Sequence, residues 1–192
     1  YPGFSTDVGP GNTMMDAYVQ KHLGYACDEN GVLAASGAVV QNLLNELMDH
    51  PFFDGGFPKT IGPELFNLHY LEKAIARVGG SYIHADIMAT LNRFSAEGIL
   101  LALQRSVPPN QPWVVYGSGG GVHNPVLMDH LQKAFPTIEF RHTEALGIPA
   151  DAKEAVLFAL LANECIAGES LGKALFKDGM PDISMGKISL PG

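Results

Sequence analysis

The sequence predicts an α/β protein in which helices outweigh strands and the sheet is incomplete. Three observations carry this. Apolar residues recur at three- and four-residue spacing through most of the 192-residue chain, the period of one helix face. Residues 112–142 read instead as one β-α-β unit. A parallel sheet of two strands cannot cover its own faces or edges, so its remaining strands are expected from a segment outside this sequence.

The elements follow in chain order. Met14, Met15, Tyr18, Val19 and Leu23 predict a first helix. Val39, Val40, Leu43, Leu44, Leu47 and Met48 predict a second near 36–49, stopped by Pro51. Residues 50–64, where Pro, Gly and Phe mix, are expected as the longest irregular loop. Leu65, Leu68, Leu71, Ile75 and Val78 mark a helix closed by Gly79-Gly80. The segment from His84 to about Val107 carries Ile87, Met88, Leu91, Phe94, Ile99, Leu100 and Leu103 and ends at Pro108-Pro109. Trp113–Tyr116 is a short continuous apolar run, as a buried parallel strand would be, and Ile138–Arg141 alternates as its neighbour. Between them Asn124 suits an N-cap and Pro125 a first helical residue, for a helix to about Ala134. Ala155–Ala162 is apolar on every face, which predicts a buried helix.

Composition narrows the function classes. Hydrophobic residues make up 46% of the chain, enough for a packed core. With 20 acidic against 12 basic residues the net charge is -8, which disfavours nucleic acid and anionic membranes as partners. No apolar stretch approaches the roughly 18 residues of a membrane span. No basic patch followed by an apolar run reads as a signal peptide. Cys27 and Cys165 alone give neither a disulfide framework nor metal-ligand spacing, so a reduced, cytoplasmic setting is expected. The chain opens Tyr1-Pro2-Gly3-Phe4 without an initiator Met. With the incomplete sheet, this leads us to expect a fragment of a longer protein.

Three constellations carry candidate chemistry. In Asp7-Val8-Gly9-Pro10-Gly11-Asn12 a carboxylate precedes two glycines and a helix start, so a ligand can approach bare backbone beside a base, and helix amides favour an anion. The carboxylate suits a general base or an outer partner of a phosphate-bound Mg²⁺; the plain alternative is a Gly-Pro turn with local Asx bonds. Gly117-Ser118-Gly119-Gly120-Gly121 lies between a strand and a helix, an arrangement that receives nucleotides. A dinucleotide fingerprint with Glu139 fails because Val122 stands at the third glycine position, and no GxxxxGK(S/T) loop exists, since Gly168…Gly172-Lys173-Ala174 lacks its spacing and hydroxyl. Ser118 is outside GxSxG, with Tyr116 at the first glycine position. The third is Asp151-Ala152-Lys153-Glu154, which by itself reads as a capping box; Asp16, in a first helical turn, has a similar dipole-based reading. The seven histidines form no HxxxH or HExxH pair, and no protein-held metal is expected. Lys59-Thr60-Ile61-Gly62-Pro63-Glu64 is polar and Gly-punctuated, suited to touching a ligand or turning the chain.

Taken in order, these segments resemble one family. Asp7–Asn12 with Asp16 is similar to its DTGPGN…D motif, and Pro58–Asn67 to PKSTGxExFN. Gly119–Pro125 resembles GGGxxNP, and Thr143-Glu144…Gly147-Ile148-Pro149…Lys153-Glu154-Ala155 with Phe158-Ala159 resembles its TxExxGI…EAxxFA run. The chain thus resembles the C-terminal half of anhydro-N-acetylmuramic acid kinases over residues 3–170. The resemblance implies a helix-rich C-terminal domain of the actin/hexokinase/heat-shock-chaperone ATPase-like fold, residues 1–192, with its N-terminal domain and Gly-Thr-Ser phosphate motif absent. It implies a homodimeric Mg-ATP enzyme that opens a 1,6-anhydro sugar with water and phosphorylates O6 during peptidoglycan recycling.

Carried over by residue, Asp7 would be the base that activates water. Gly9, Gly11 and Asn12 would shape the phosphate side, Gly119, Gly120, Gly121 and Asn124 the adenosine side, and Glu154 would bond the sugar. Lys59 and Glu64 receive no role. Val8 stands where the family usually has Thr, and the tail keeps Gly186-Lys187-Ile188 without the preceding Thr-Gly-Ala. Two other readings stay open: a non-catalytic nucleotide-binding or dimerisation module, and a dinucleotide-dependent oxidoreductase using Gly117–Gly121 and Glu139.

Overall fold

A computed structural model describes residues 4–108 and 111–167. The chain divides into two compact units, residues 1–142 and 143–192. The stretch from Gly168 to Ala174 and the tail to Gly192 lie outside the described residues.

The first unit is organised on one long helix. The elements in order are α1 (Thr13–Leu23), α2 (Val32–Ser36), α3 (Gln41–Met48), α4 (Pro51–Asp54), α5 (Leu68–Val78), α6 (His84–Ser106), β1 (Trp113–Gly117), α7 (Pro125–Ala134) and β2 (Ile138–His142). Helix α6 has 23 residues, and it is buried on nearly every face because two cores form against it. Met14, Val19, Leu43, Leu47, Leu71 and Phe94 anchor the larger one, on α1, α3, α5 and α6. Ala96, Leu100, Leu127 and Leu131 anchor the smaller, between α6 and α7. Each large apolar side chain so buried contributes roughly 1.5–3 kcal/mol. The Tyr18 hydroxyl meets His84 Nδ1 at 2.7 Å, tying α1 to the start of α6. Tyr70 donates to the Leu47 carbonyl at 2.6 Å, and burial with the nearby Glu46 charge pushes its hydroxyl pKa up to about 12.

Several expectations are met. Helix α1, the extent of α6, the Gly79 end of α5 and the parallel β1–β2 pair all fall where periodicity put them. Trp113 pairs with Ile138 and Gly117 with His142. Asn124 caps α7 as expected, its Oδ1 accepting from the amides of Val126 and Leu127 at 3.1 and 3.2 Å.

Others are corrected. The helix expected at 36–49 starts only at Gln41. A Cβ at Gly37 would fall 2.1 Å from the Ala85 carbonyl oxygen, so backbone packs on backbone there, and the Val40 amide donates to Thr90 Oγ1 instead of joining a helix. Pro51 opens a helix rather than only stopping one: it is the first residue of α4, with His50 Nδ1 accepting from the Phe52 amide. The loop at 50–64 is therefore partly helical. Helix α5 begins three residues after Leu65, because the Asn67 side chain accepts from the Tyr70 amide and fixes the start. Strand β1 is not buried; Val114 is 40% exposed, and no third strand flanks the pair among the described residues.

The second unit contains two 3₁₀ turns, Thr143–Leu146 and Ala150–Ala152, and α8 (Lys153–Ala167). Asp151 lies inside the second turn. The expectation of a buried helix is overturned: Phe158 is 67% and Leu160 62% exposed. The sequence pattern of α8 is that of a core helix, but the described residues supply nothing to cover it. Glu154 sits exposed in its first turn.

Candidate functional site

The Asp7 segment is held on two sides. On one, it runs beside residues 59–61: the Asp7 amide donates to the Lys59 carbonyl at 2.9 Å, the Lys59 amide to Thr6 Oγ1 at 3.0 Å, and the Ile61 amide to Asp7 Oδ2 at 2.8 Å. A charge-assisted bond of this kind fixes the carboxylate's orientation. On the other side lies α6. A Cβ on Gly98 would stand 2.4 Å from the Val8 carbonyl oxygen, so only glycine lets the loop lie flat against the helix. One turn earlier Ser95 Oγ donates to the Gly11 carbonyl at 2.6 Å. Gly11 takes φ +57°, a left-handed turn that swings the chain into α1. Asp7, half-buried, lines a pocket of about 200 Å³ with Gly9, Pro10, Thr13, Ile61, Gly62 and Phe66.

The second constellation meets the first through Asn12. Positions built as Cβ atoms on Gly120 and Gly121 would lie 3.4 Å from Asn12 Nδ2 and 3.7 Å from Asn12 Oδ1. Two loops more than a hundred residues apart in sequence thus touch, and glycine at both positions leaves room for the amide. Asn12 Oδ1 is buried with no hydrogen-bond partner, and the side chain makes no cap bond to α1. A buried acceptor left so costs about 1–3 kcal/mol unless a ligand or water donates to it. Asn12 lines a pocket of about 360 Å³ with Asp16, Asp28, Asn30, Gly120, His123 and Asn124. Burial raises the Asp16 pKa above its ordinary 3.8.

The nucleotide-type loop is not a bare strand-to-helix handover. Gly119 has φ +80°, and Gly120–His123 form a 3₁₀ turn before α7. Val122 folds back onto Gly117, where a Cβ would come within 2.6 Å of Val122 Cγ1. The first amides of α7 are already taken by the Asn124 cap, so any ligand here meets loop backbone and Asn12 rather than a free helix end.

Sequence reasoning missed four contributors. Ser95 and Gly98 support the Asp7 loop from inside α6. A glycine within a 23-residue helix costs about 1 kcal/mol relative to alanine, so its presence signalled a close approach. Asp28 and Asn30 line the second pocket; Asp28 also accepts from the Leu33 and Ala34 amides at 2.8 and 2.9 Å. The signal for this turn was the Asn30-Gly31 dipeptide, a turn former: Asn30 has φ 56°, and Gly31 leaves no room for a Cβ against Asn124 Oδ1. A cavity of about 570 Å³ between Val19, Tyr25 and Val32 contains neither glycine loop and is mainly apolar. We place the site at the two smaller ones. Glu154 belongs to the second unit and is described with it. Among the described residues no group of three or more His, Cys, Asp or Glu is placed to hold a metal ion.

The class that this geometry fits is an α/β protein with a polar ligand cleft built from two converging glycine loops, one of them carrying an acid. The chain belongs to the anhydro-N-acetylmuramic acid kinase family, whose profile matches residues 2–173. Named relatives include the anhydro-N-acetylmuramic acid kinase of Pseudoalteromonas atlantica, 48% identical over 191 residues and covering 98% of this chain. That of Pseudoalteromonas translucida is 50% identical over 189 residues, covering 97% of this chain. A third, from Paraburkholderia xenovorans, is 37% identical over 166 residues, 84% of this chain. The matches span 48%, 47% and 43% of those proteins' own lengths, so the chain spans about half the length of the curated relatives it matches. Among the described residues no helix is long and apolar enough to cross a membrane.

Proposed function

We propose that this chain is the base-bearing, nucleotide-facing half of an ATP-dependent anhydro-N-acetylmuramic acid kinase. The observation that carries the reading is the meeting of the Asp7–Asn12 and Gly119–Asn124 segments at Asn12, whose Oδ1 is buried and unpartnered. Membership of the anhydro-N-acetylmuramic acid kinase family supports a kinase reading. Residues 1–192 form the C-terminal domain of an actin/hexokinase/heat-shock-chaperone-type kinase in this reading, and the N-terminal domain supplies the other wall of the cleft.

Asp7 accepts a proton from water as the water oxygen bonds to the anomeric carbon. The C1–O6 bond of the anhydro ring breaks, and O6 takes the γ-phosphoryl group while ADP leaves. The products are N-acetylmuramic acid 6-phosphate and ADP, and the proton rests on Asp7. A carboxylate suffices as base because a closed cleft excludes bulk water and the strained bicyclic acetal lowers the barrier. The Ile61 amide holds one carboxylate oxygen in place, so the base is oriented before substrate arrives. Gly9, Gly11 and Asn12 line the phosphate side, Gly119–Gly121 and Asn124 the adenosine side, and Glu154 bonds the sugar. Mg²⁺, when bound with the nucleotide, neutralises phosphate charge. A homodimer in the cytoplasm belongs to the same proposal and rests on the family.

Asp7→Asn tests the base assignment in a protein completed with the N-terminal half of a relative. Turnover is expected to vanish while ATP still binds, and retained turnover would contradict it.

A further inference from the structure

The Lys59 side chain has no part in the chemistry above. Its main chain nonetheless hydrogen-bonds both Thr6 and Asp7. Its carbonyl accepts from the Asp7 amide at 2.9 Å and from Thr6 Oγ1 at 3.2 Å, and its amide donates to Thr6 Oγ1 at 3.0 Å. Two residues on, the Ile61 amide holds Asp7 Oδ2. The main chain at 59–61 is therefore the cradle of the carboxylate.

A surface loop with glycines at 55, 56 and 62 would not hold such a register by itself. The Lys59 side chain fixes it. Its ammonium donates to the Phe52 carbonyl and lies 4.0 Å from the Phe52 ring centroid and 5.2 Å from that of Phe57, within cation–π range of both. Arg105, at the end of α6, reinforces the same loop by donating to the Gly55 carbonyl at 3.1 Å. Lys59 does not line the Asp7 pocket; its charge is spent on α4 and the loop.

We propose that Lys59 is a positioning residue for Asp7: caged by Phe52, Phe57 and the Phe52 carbonyl, it locks residues 59–61 in the register that orients the carboxylate. Resting on the kinase reading, this assigns a role within its site. Lys59→Met keeps the apolar stem and removes the cation; Lys59→Arg keeps the cation and its ring contacts.

Two measurements test it. Hydrogen exchange on the 192-residue chain reads the cradle directly: in Lys59→Met the Asp7 and Ile61 amides should exchange about tenfold faster, with Met15–Val19 of α1 unchanged. In the completed enzyme, Lys59→Met should lower kcat by about tenfold or more and leave KM for ATP within about twofold, and Lys59→Arg should restore most of kcat. Unchanged exchange at Asp7 and Ile61, or faster exchange throughout α1, overturns the proposal. So does an unchanged kcat in an active enzyme. If the unsubstituted completed protein makes no ADP, the kinase reading fails, and the exchange result alone decides whether Lys59 holds the cradle.

Discussion

Gly98→Ala separates the fold's stability from the site's geometry. The substitution adds one methyl group in the middle of α6, 2.4 Å from the Val8 carbonyl oxygen and 3.3 Å from its carbon. Both atoms are backbone, so neither can rotate away. The loop must recede by about 1 Å to restore van der Waals contact. Two effects on stability oppose each other: overpacking costs about 1–3 kcal/mol, and alanine in place of helical glycine returns about 1 kcal/mol. The net loss is about 0–2 kcal/mol, a drop in Tm of no more than about 8 °C for a domain of this size. The effect on catalysis is larger, because the displaced segment is the one that carries Asp7, and a misplacement of about 1 Å can cost about a hundredfold. Coupled ADP release by the completed enzyme, with a thermal melt of the same preparation, reads both quantities. We expect kcat to fall about a hundredfold with Tm nearly kept. Full activity would refute the claim that α6 sets the position of Asp7.

Other substitutions probe separate links. Gly37→Ala drives a Cβ to 2.1 Å from the Ala85 carbonyl oxygen, so it should cost about 3 kcal/mol or more and lower Tm by roughly 6–12 °C in a thermal melt. Asn124→Ala removes the α7 cap, for a loss of about 1 kcal/mol by urea denaturation, and should weaken nucleotide binding measured by calorimetry. Burial raises the Asp16 pKa, so the folded chain keeps that proton to higher pH than the unfolded chain does. The stability tied to it is full below the ordinary carboxylate pKa and is lost as pH rises through the raised value. Asp16→Asn should therefore raise Tm at pH about 7 and flatten the decline of Tm across that window; a lower Tm at neutral pH would contradict the sign.

Much of the fold was legible because local rules and tertiary packing agreed. The Asn124-Pro125 start of α7, the Gly79 end of α5 and the span of α6 each follow from a cap, a glycine or a period. The misreadings fall where packing overrode pattern. Val39 and Val40 fit a helical stripe, yet Gly37 is drawn against α6 and the helix starts later. Helix α8 carries a core pattern that its described surroundings do not cover. The site was legible as two separate loops. Their meeting at Asn12 was not, since nothing local ties residue 12 to residue 120. Nor was the support from Ser95, which a periodicity count treats as an ordinary helix position; Gly98 carried a signal in its cost to the helix, which periodicity alone does not read.

The most direct test of the central claim is ADP release from Mg-ATP and anhydro-N-acetylmuramic acid, measured with this chain alone and with a separately made N-terminal half of a relative. The account predicts ADP only when both halves are present, and none when the chain carries Asp7→Asn. Silence with both halves folded and associated would contradict it and leave the chain as a binding module.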